Sequence, residues 1–201
     1  SDKRYDKHNF LIHDYFFART LDKVRPGGII AFVTSKGTLD KESPAVRKYI
    51  AQRADLLGAI RLPNTAFKGA AGTEVTSDII FLQKRDHLVD IEPDWVHLGK
   101  DENNVVMNQY FIDNPDMICG EMKMVSGPFG PESACVPYEG QELSTLLSDA
   151  IQNIHAEISE YEVSELADED EDRSIPADPT VRNFSFAVVD GKPYFRENSR
   201  M

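Results

Sequence analysis

The sequence predicts an α/β fold in which a mostly parallel sheet ends in an antiparallel strand and is followed by an α+β accessory region. Helical periodicity over residues 9–25 precedes two continuous apolar runs of strand length, IIAFVT (29–34) and LLGAIRL (56–62). Such runs are typical of strands covered on both faces. The loop after the second run has no helical pattern, so we expect DIIFLQK (78–84) to run back antiparallel to its predecessor.

The boundaries of the two predicted helices follow from local chemistry. Pro26-Gly27-Gly28 ends the first helix, and Ser43-Pro44 begins the second, with Ser43 as its cap and Pro44 at its first position. A strand, helix, strand succession is typical of a right-handed crossover between parallel strands. We therefore expect strands 29–34 and 56–62 to be parallel neighbours, with the loops after them at one rim of the sheet, where ligands bind.

The second half of the sequence carries weaker patterns. They predict a strand at 94–98, a helix at 106–113, strand pieces on either side of the turn GPFGPE, a helix from 143 extending to about Val163, and a hairpin at 184–197 that turns at Asp190-Gly191. Residues 157–172 contain 9 acidic residues among 16. We expect Ser164 to Arg173 to be a solvated linker and the first proteolytic cleavage to fall within Glu165–Arg173.

Charge is distributed unevenly along the chain. The net charge is -12, yet residues 1–86 hold 15 basic and 10 acidic side chains, whereas residues 87–201 hold 7 and 24. This asymmetry predicts two units with different roles, of which the basic one is suited to a phosphate backbone.

Several classes of protein are disfavoured by composition. No run approaches the roughly 20 apolar residues of a membrane helix, and the first residues have no apolar signal region. Cys119 and Cys135 are typical of two ordinary thiols in a cytoplasmic protein. The histidines do not cluster as zinc ligands do. The first residue is not Met, and we expect the chain to be part of a longer one.

Residues 5–86 resemble the C-terminal half of N6-adenine DNA methyltransferases. The resemblance is carried by DYFFARTLDKVRPGGIIAFVTSKGTLD, VRKYIAQRADLLGAIRLPNTAFKG and TSDIIFLQK, and most specifically by the Leu-Pro-x-x-x-Phe segment at 62–67. It is strongest toward the modification subunits of type I restriction systems and the methylase regions of helicase–methylase proteins on mobile elements. Residues 108–117, NQYFIDNPDM, resemble a segment downstream of the methylase core in the latter.

The resemblance implies the second half of a Rossmann-like sheet that uses S-adenosylmethionine and acts on DNA. The implied partners are DNA, the upstream half of the domain and a helicase region in the same polypeptide. We divide the chain into a partial methyltransferase domain (1–86), an accessory α+β region (87–155), an acidic helix end and linker (156–182), and a hairpin opening a following domain (183–201).

The resemblance also assigns candidate contacts to the target adenine and DNA. The family flips the adenine out of the duplex and stacks it on aromatic rings. Phe67 occupies the position of one such ring, although an aromatic residue there can instead plug the loop onto the core. The other candidates are Asn64 and Lys68 in the same loop, Ser35 and Lys36 after the first strand, and Tyr5, His8 and Asn9 near the expected catalytic tetrapeptide.

Two elements of the family have no counterpart in this sequence. These are the acidic residue and glycine-rich turn of the cofactor loop, and the Asn/Asp-Pro-Pro-aromatic tetrapeptide that holds the adenine amino group. Asn114-Pro115-Asp116 lacks the second Pro and the aromatic residue. We therefore expect no catalytic and no cofactor-binding residue in this chain, no methyl transfer by it alone, and tight binding of S-adenosylmethionine only in the full-length protein.

Two other functions fit the same residues. One is a non-catalytic interaction module, anti-restriction or scaffold-like, on a degenerate methylase fold. The other keeps the fold and changes the substrate, because protein-glutamine methyltransferases share the tetrapeptide. The basic first half and the loop at 62–67 favour DNA. An intact tetrapeptide before Ser1 in the parent gene favours the enzyme over the module.

Overall fold

A computed structural model of the chain describes residues 12–127, 129–161, 180–182, 184–189 and 192–196. The candidate residues Tyr5, His8 and Asn9, the predicted linker 164–173 and the predicted turn Asp190-Gly191 lie outside the described residues. Residues 12–161 belong to one compact unit and residues 180–196 to a second.

The first unit begins with helix α1 (Ile12–Lys23) and a three-stranded sheet of β1 (Ile29–Ser35), β2 (Ala54–Leu62) and β3 (Ser77–Lys84). Each of the three strands begins and ends within two residues of its predicted bounds. The helix buries Phe17 and Leu21 and is followed by a turn in which Gly27 has φ of 76°, a conformation that glycine adopts without a Cβ clash.

Strand β3 lies at the centre of the sheet, in the order β1-β3-β2. It is antiparallel to both neighbours, with Ile79 opposite Val33 on β1 and Ile60 on β2. The predicted antiparallel last strand is thus confirmed. The prediction that β1 and β2 are parallel neighbours is wrong: they run in the same direction, but β3 pairs along both and separates them. No two adjacent strands in the described part of the chain are parallel.

Strand β1 is covered on one face. Phe32 packs on Phe17 of α1, with ring centroids 4.2 Å apart, and Ile30 is buried beside them. On the other face Ile29 and Val33 are 53% and 60% exposed. The prediction that this strand is covered on both faces is therefore wrong within the described residues. The edge of β1 away from β3 also pairs with none of the described strands.

Short helical segments connect the strands. They are α2 (Gly37–Asp40), α3 (Ala45–Ala51) and α4 (Lys68–Ala71). The predicted cap of α3 is wrong, because Pro44 occupies the N-cap position and no side chain caps the helix. Burial of Val46 and Ile50 against the sheet holds α3 in its place instead.

The accessory region contains β4 (Leu98–Lys100), β5 (Val106–Asn108), α5 (Gln109–Asp113), the hairpin β6 (Glu121–Gly127) and β7 (Gly130–Val136), and α6 (Leu143–Gln152). The strand predicted at 121–127 and the helix from 143 are confirmed, whereas the second strand begins at Gly130, inside the predicted turn GPFGPE, and ends at Val136. The strand predicted at 94–98 is wrong, since Asp94–Val96 is a 3-10 turn. Only the second half of 106–113 is helical, because residues 106–108 pair with β4 and the Asn108 side chain caps α5.

The accessory region shares its core with the sheet. Phe111, Cys135 and Ala150 belong to the same buried cluster as Ile60 and Leu82. The backbone N–H of Cys119 donates to the carbonyl of Arg61 at 2.9 Å, which fixes the region against β2. This packing places the β6–β7 hairpin over one end of the sheet.

The segment after α6 is extended. The predicted continuation of helix to Val163 is wrong, because α6 ends at Gln152. The backbone of Ser159 bonds instead to the buried side-chain amide of Gln83 on β3. The amide NH2 donates to the Ser159 carbonyl at 2.9 Å, and the amide oxygen accepts from the Ser159 backbone N–H at 3.0 Å. Residues 154–161 are therefore docked on the sheet, with Tyr161 against Gly27.

The second unit is a hairpin of β8 (Phe186–Val189) and β9 (Lys192–Phe195), which are antiparallel. The hairpin predicted at 184–197 is thus confirmed. Among the described helices, none is long and apolar enough to span a membrane.

Candidate functional site

A cleft of about 460 Å³ opens at the end of the sheet where β1 and β2 terminate. We call it the rim cleft. One wall comes from the loops after the strands and the other from the β6–β7 hairpin. Its lining residues are Lys36, Asn64, Glu74, Val75, Thr76, Val125, Ser126, Gly127, Phe129, Glu132, Ser133 and Ala134.

The sheet-side wall is set by backbone hydrogen bonds. The N–H of Lys36, directly after β1, donates to the carbonyl of Thr76 at 2.9 Å. The N–H of Asn64, two residues after β2, donates to the carbonyl of Cys135 at 2.8 Å. The structure thus brings the two predicted loops to one rim and places Lys36 and Asn64 in one cleft. Their binding role stays a prediction.

The hairpin-side wall was missed by the sequence analysis. The Thr76 hydroxyl accepts from the N–H of Cys135 at 2.9 Å, and the Lys36 ammonium donates to the Ser133 hydroxyl at 3.3 Å. Phe129, at the hairpin tip, is fully exposed. The sequence feature that could have indicated this wall is the phenylalanine inside the turn GPFGPE, because an apolar ring in a turn is not expected to pack in the core.

Asn64 carries an unusual polar atom. Its side chain lines the rim cleft and is partly exposed, but its Oδ1 is buried and accepts no hydrogen bond among the described residues. A buried acceptor without a partner costs about 1–3 kcal/mol and is rare in folded proteins. No hydrogen bond among the described residues therefore holds this oxygen.

A buried ionic network lies behind the cleft. Arg61 on β2 donates to both oxygens of Asp78 on β3, each at 2.8 Å, and to both oxygens of Asp40 at 2.7 and 2.9 Å. Its guanidinium carbon lies 4.3 Å from the centre of the Phe111 ring. Asp40 also accepts from the N–H of Asn108 at 2.9 Å. The network joins β2, β3, α2 and the accessory region.

The electrostatics of this network follow from two carboxylates sharing one guanidinium. Burial raises the pKa of Asp78, against the opposing attraction of Arg61. Burial also opposes the charge of Arg61, but Asp78 and Asp40 outweigh it and raise the pKa of the guanidinium. The residues were not singled out from sequence, although an arginine inside one apolar strand and an aspartate opening another are the signal of such a pair.

The other described candidates lie outside the lining of the cleft. Phe67 is half-buried and packs against the hydrophobic core. This position is compatible with both alternatives from the sequence, a ring that stacks on the base and a ring that holds the loop on the core. Lys68 is exposed, with its Nζ 2.5 Å from a carboxylate oxygen of Glu74, which lines the cleft. Ser35 is exposed at the end of β1, opposite Ser77.

The turns after β1 and β2 lack the residue pair that commonly holds a nucleoside cofactor on an α/β sheet. A nucleoside cofactor on an α/β sheet is held by a glycine-rich turn after a strand and an acidic residue for its ribose hydroxyls. The turn after β1 offers Lys36 and Gly37, and the turn after β2 begins with Pro63. Neither supplies that pair, so we assign no step of methyl transfer to these residues.

Metal or thiol chemistry has little support in the described residues. They contain no group of three His, Cys, Asp or Glu side chains that could hold a metal ion. Cys119 and Cys135 are free and buried, and burial raises the pKa of Cys135 to about 12. A thiol so rarely ionised is a weak nucleophile.

Comparison with known proteins gives one partial similarity. Over 71 residues the chain is 32% identical to a protein of Escherichia phage P1 described as "Defense against restriction protein B". The aligned stretch is 35% of this chain and 3% of the phage protein, so this chain spans a small part of that relative. No protein family matches the chain, and no solved structure does. The chain is thus similar, over about a third of its length, to a phage protein named for defence against restriction.

Proposed function

We propose that the chain is the downstream part of an S-adenosylmethionine-dependent DNA adenine-N6 methyltransferase domain in a restriction-related protein of a mobile element. In this proposal the chain carries the residues of the active site that contact the target adenine. The catalytic tetrapeptide and the cofactor pocket belong to an upstream half. In this proposal the partners are DNA, that upstream half and a helicase region of the same cytoplasmic polypeptide.

The observation that carries the proposal is the half-covered state of β1. Its outer edge is unpaired among the described strands, and Ile29 and Val33 expose apolar surface on one face. Open edges and apolar faces favour association, and folded proteins normally cover both. An additional strand and its helix cover them together, which is what an upstream half of the same sheet supplies.

The order of the strands supports the same proposal. A central antiparallel β3 between two strands of equal direction agrees with the antiparallel last strand that the resemblance implies. The two loops at the rim, after Ser35 and after Leu62, then face the substrate side of the completed sheet.

A second candidate function is an anti-restriction module without catalysis. The observation that favours it is the name of the phage relative, which describes defence against restriction and no methyl transfer. In this alternative the uncovered face of β1 binds a component of the restriction machinery. The two functions differ in whether the full-length protein modifies DNA.

The isolated chain is expected to bind S-adenosylmethionine weakly, because neither turn after a strand supplies the acid–glycine pair described above. Isothermal titration calorimetry measures this. We expect no saturable heat below millimolar ligand, whereas a micromolar dissociation constant contradicts the assignment of the cofactor pocket to the upstream half.

The product of the full-length protein tests the proposed function. After incubation with S-adenosylmethionine and duplex DNA, nucleoside mass spectrometry is expected to detect N6-methyladenine. The same reaction with a glutamine-containing protein substrate, analysed for methylglutamine, tests the protein-directed alternative. Unmodified DNA together with loss of restriction in cells supports the anti-restriction module instead.

A further inference from the structure

We propose that the accessory region binds a short segment of a partner protein, in which two apolar side chains are flanked by lysine or arginine. The binding surface consists of two neighbouring cavities, which we call the accessory groove. None of the residues that line this groove lines the rim cleft. Such a partner is additional to the DNA of the proposed function and does not depend on it.

The larger cavity of the groove has an apolar floor. Its volume is about 460 Å³, which lies within the range of ligand pockets. Met107, Phe111 and Met122 line it and are buried, and Ile112 and Ile118 line it and are partly exposed. Methionine side chains are flexible and adapt to apolar partners of different shape. The floor is therefore suited to an apolar side chain of a partner.

The smaller cavity continues the apolar surface. Its volume is about 240 Å³, and its lining, which includes Ala66, Leu143 and Leu146, has no charged side chain among the described residues. Tyr138 lines both cavities and is 40% exposed, so the two cavities adjoin at this residue. Adjoining apolar cavities fit successive anchor side chains of one peptide segment.

The rim of the larger cavity is acidic. Asp101, Glu102 and Glu121 belong to its lining, together with Lys100. Asp101 accepts from two backbone N–H groups of its own turn, and Glu121 pairs with Lys123 at 3.2 Å. Glu102 is exposed, and it has no ion pair among the described residues. The carboxylate of Glu102 is therefore available to a cation of the partner.

The charge around the groove favours the same kind of partner. Residues 94–142 contain 9 acidic side chains, 2 lysines and no arginine. Burial is the main cause that raises the pKa of Tyr138, and the negative charge of Glu121 contributes to the increase. Negative charge at the groove repels a phosphate backbone and attracts lysine and arginine.

Selection of peptides tests the proposal without a choice of sequence in advance. A library of random dodecapeptides displayed on phage is selected on the 201-residue chain. Enriched peptides are synthesised with a fluorescent label, and their affinity is measured by anisotropy. We expect them to carry two apolar side chains and a net positive charge, and to bind at least about tenfold more weakly when serine replaces both apolar residues. Enrichment without positive charge, or equal binding of the serine version, overturns the proposal.

Variants of the chain assign the binding to the groove. Tyr138→Ser removes the wall that the cavities share and is expected to weaken binding about tenfold. Glu102→Gln removes an exposed carboxylate and is expected to weaken binding about threefold. The matched controls are Ile151→Ser and Glu42→Gln, because both residues are exposed and neither lines the groove. If Tyr138→Ser keeps its melting temperature and binds like the unmodified chain, the proposal fails.

Other occupants of the groove give different results. A second copy of the chain gives a dimer in sedimentation velocity that Tyr138→Ser dissociates. A nucleic acid gives direct binding of a labelled duplex that Tyr138→Ser weakens. Either result overturns the proposal. Formation of N6-methyladenine by the full-length protein tests only the proposed function, because binding of a peptide requires no methyl transfer.

Discussion

Arg61→Ala is expected to destabilise the protein by about 3–5 kcal/mol, the usual cost of removing one partner from a buried ion pair. The guanidinium is fully buried and makes four hydrogen bonds to Asp78 and Asp40. Its loss leaves two carboxylates without a counter-charge in the interior. Typical domains have a total stability of about 5–15 kcal/mol, so this loss removes a substantial part of the free energy of unfolding.

Urea denaturation followed by circular dichroism measures this change. Arg25→Ala is the matched control, because Arg25 is exposed after α1 and its substitution is expected to change stability by less than about 0.5 kcal/mol. Arg61→Lys restores a charge but not the fork of donors, so we expect intermediate stability. Equal midpoints for Arg61→Ala and Arg25→Ala contradict the structural role of the network.

In the full-length protein, Phe67→Ala is expected to lower methylation of duplex DNA tens-fold, because one stacking platform is worth about 1–3 kcal/mol per base. The affinity for S-adenosylmethionine is expected to stay nearly unchanged. Phe67 is half-buried against the core, so the variant is also expected to lose some stability. Activity is therefore expressed per folded molecule.

Phe67→Leu separates stacking from packing. Leucine keeps apolar contact with the core and removes the aromatic face. If Phe67 stacks on the base, Phe67→Leu keeps the melting temperature and loses methylation. Normal specific activity of Phe67→Leu, with a lowered melting temperature for Phe67→Ala, shows that Phe67 only holds the loop on the core.

The strands of the sheet could be predicted because their apolar runs are uninterrupted and bounded by turns. Their order could not. The periodicity of residues 29–34 and 56–62 is the same whether β3 lies outside them or between them, and hydrogen bonding between strands leaves no trace in one sequence. The prediction that both faces of β1 are covered failed for a related reason. An apolar residue such as Val33 indicates that a face is suited to burial, but it does not indicate which element buries it.

Elements that depend on a single distant contact were also missed. Residues 154–161 have helical spacing, yet the amide of Gln83, 76 positions away from Ser159, holds them extended. Only the sheet-side wall of the rim cleft could be predicted, because the other wall also depends on distant contacts. Lys36 and Asn64 follow strands and could be placed at one rim, whereas Phe129 reaches that rim through the packing of the accessory region on β2.

Complementation by an upstream segment tests the central claim most directly. That segment, carrying the cofactor loop and the tetrapeptide, is expressed separately, mixed with this chain, and assayed for N6-methyladenine in duplex DNA. We expect methylation only in the mixture, its loss with Val33→Lys on the uncovered face of β1, and its retention with Met124→Lys, a control of similar exposure. Failure of the unmodified pair to associate and to methylate DNA contradicts the account.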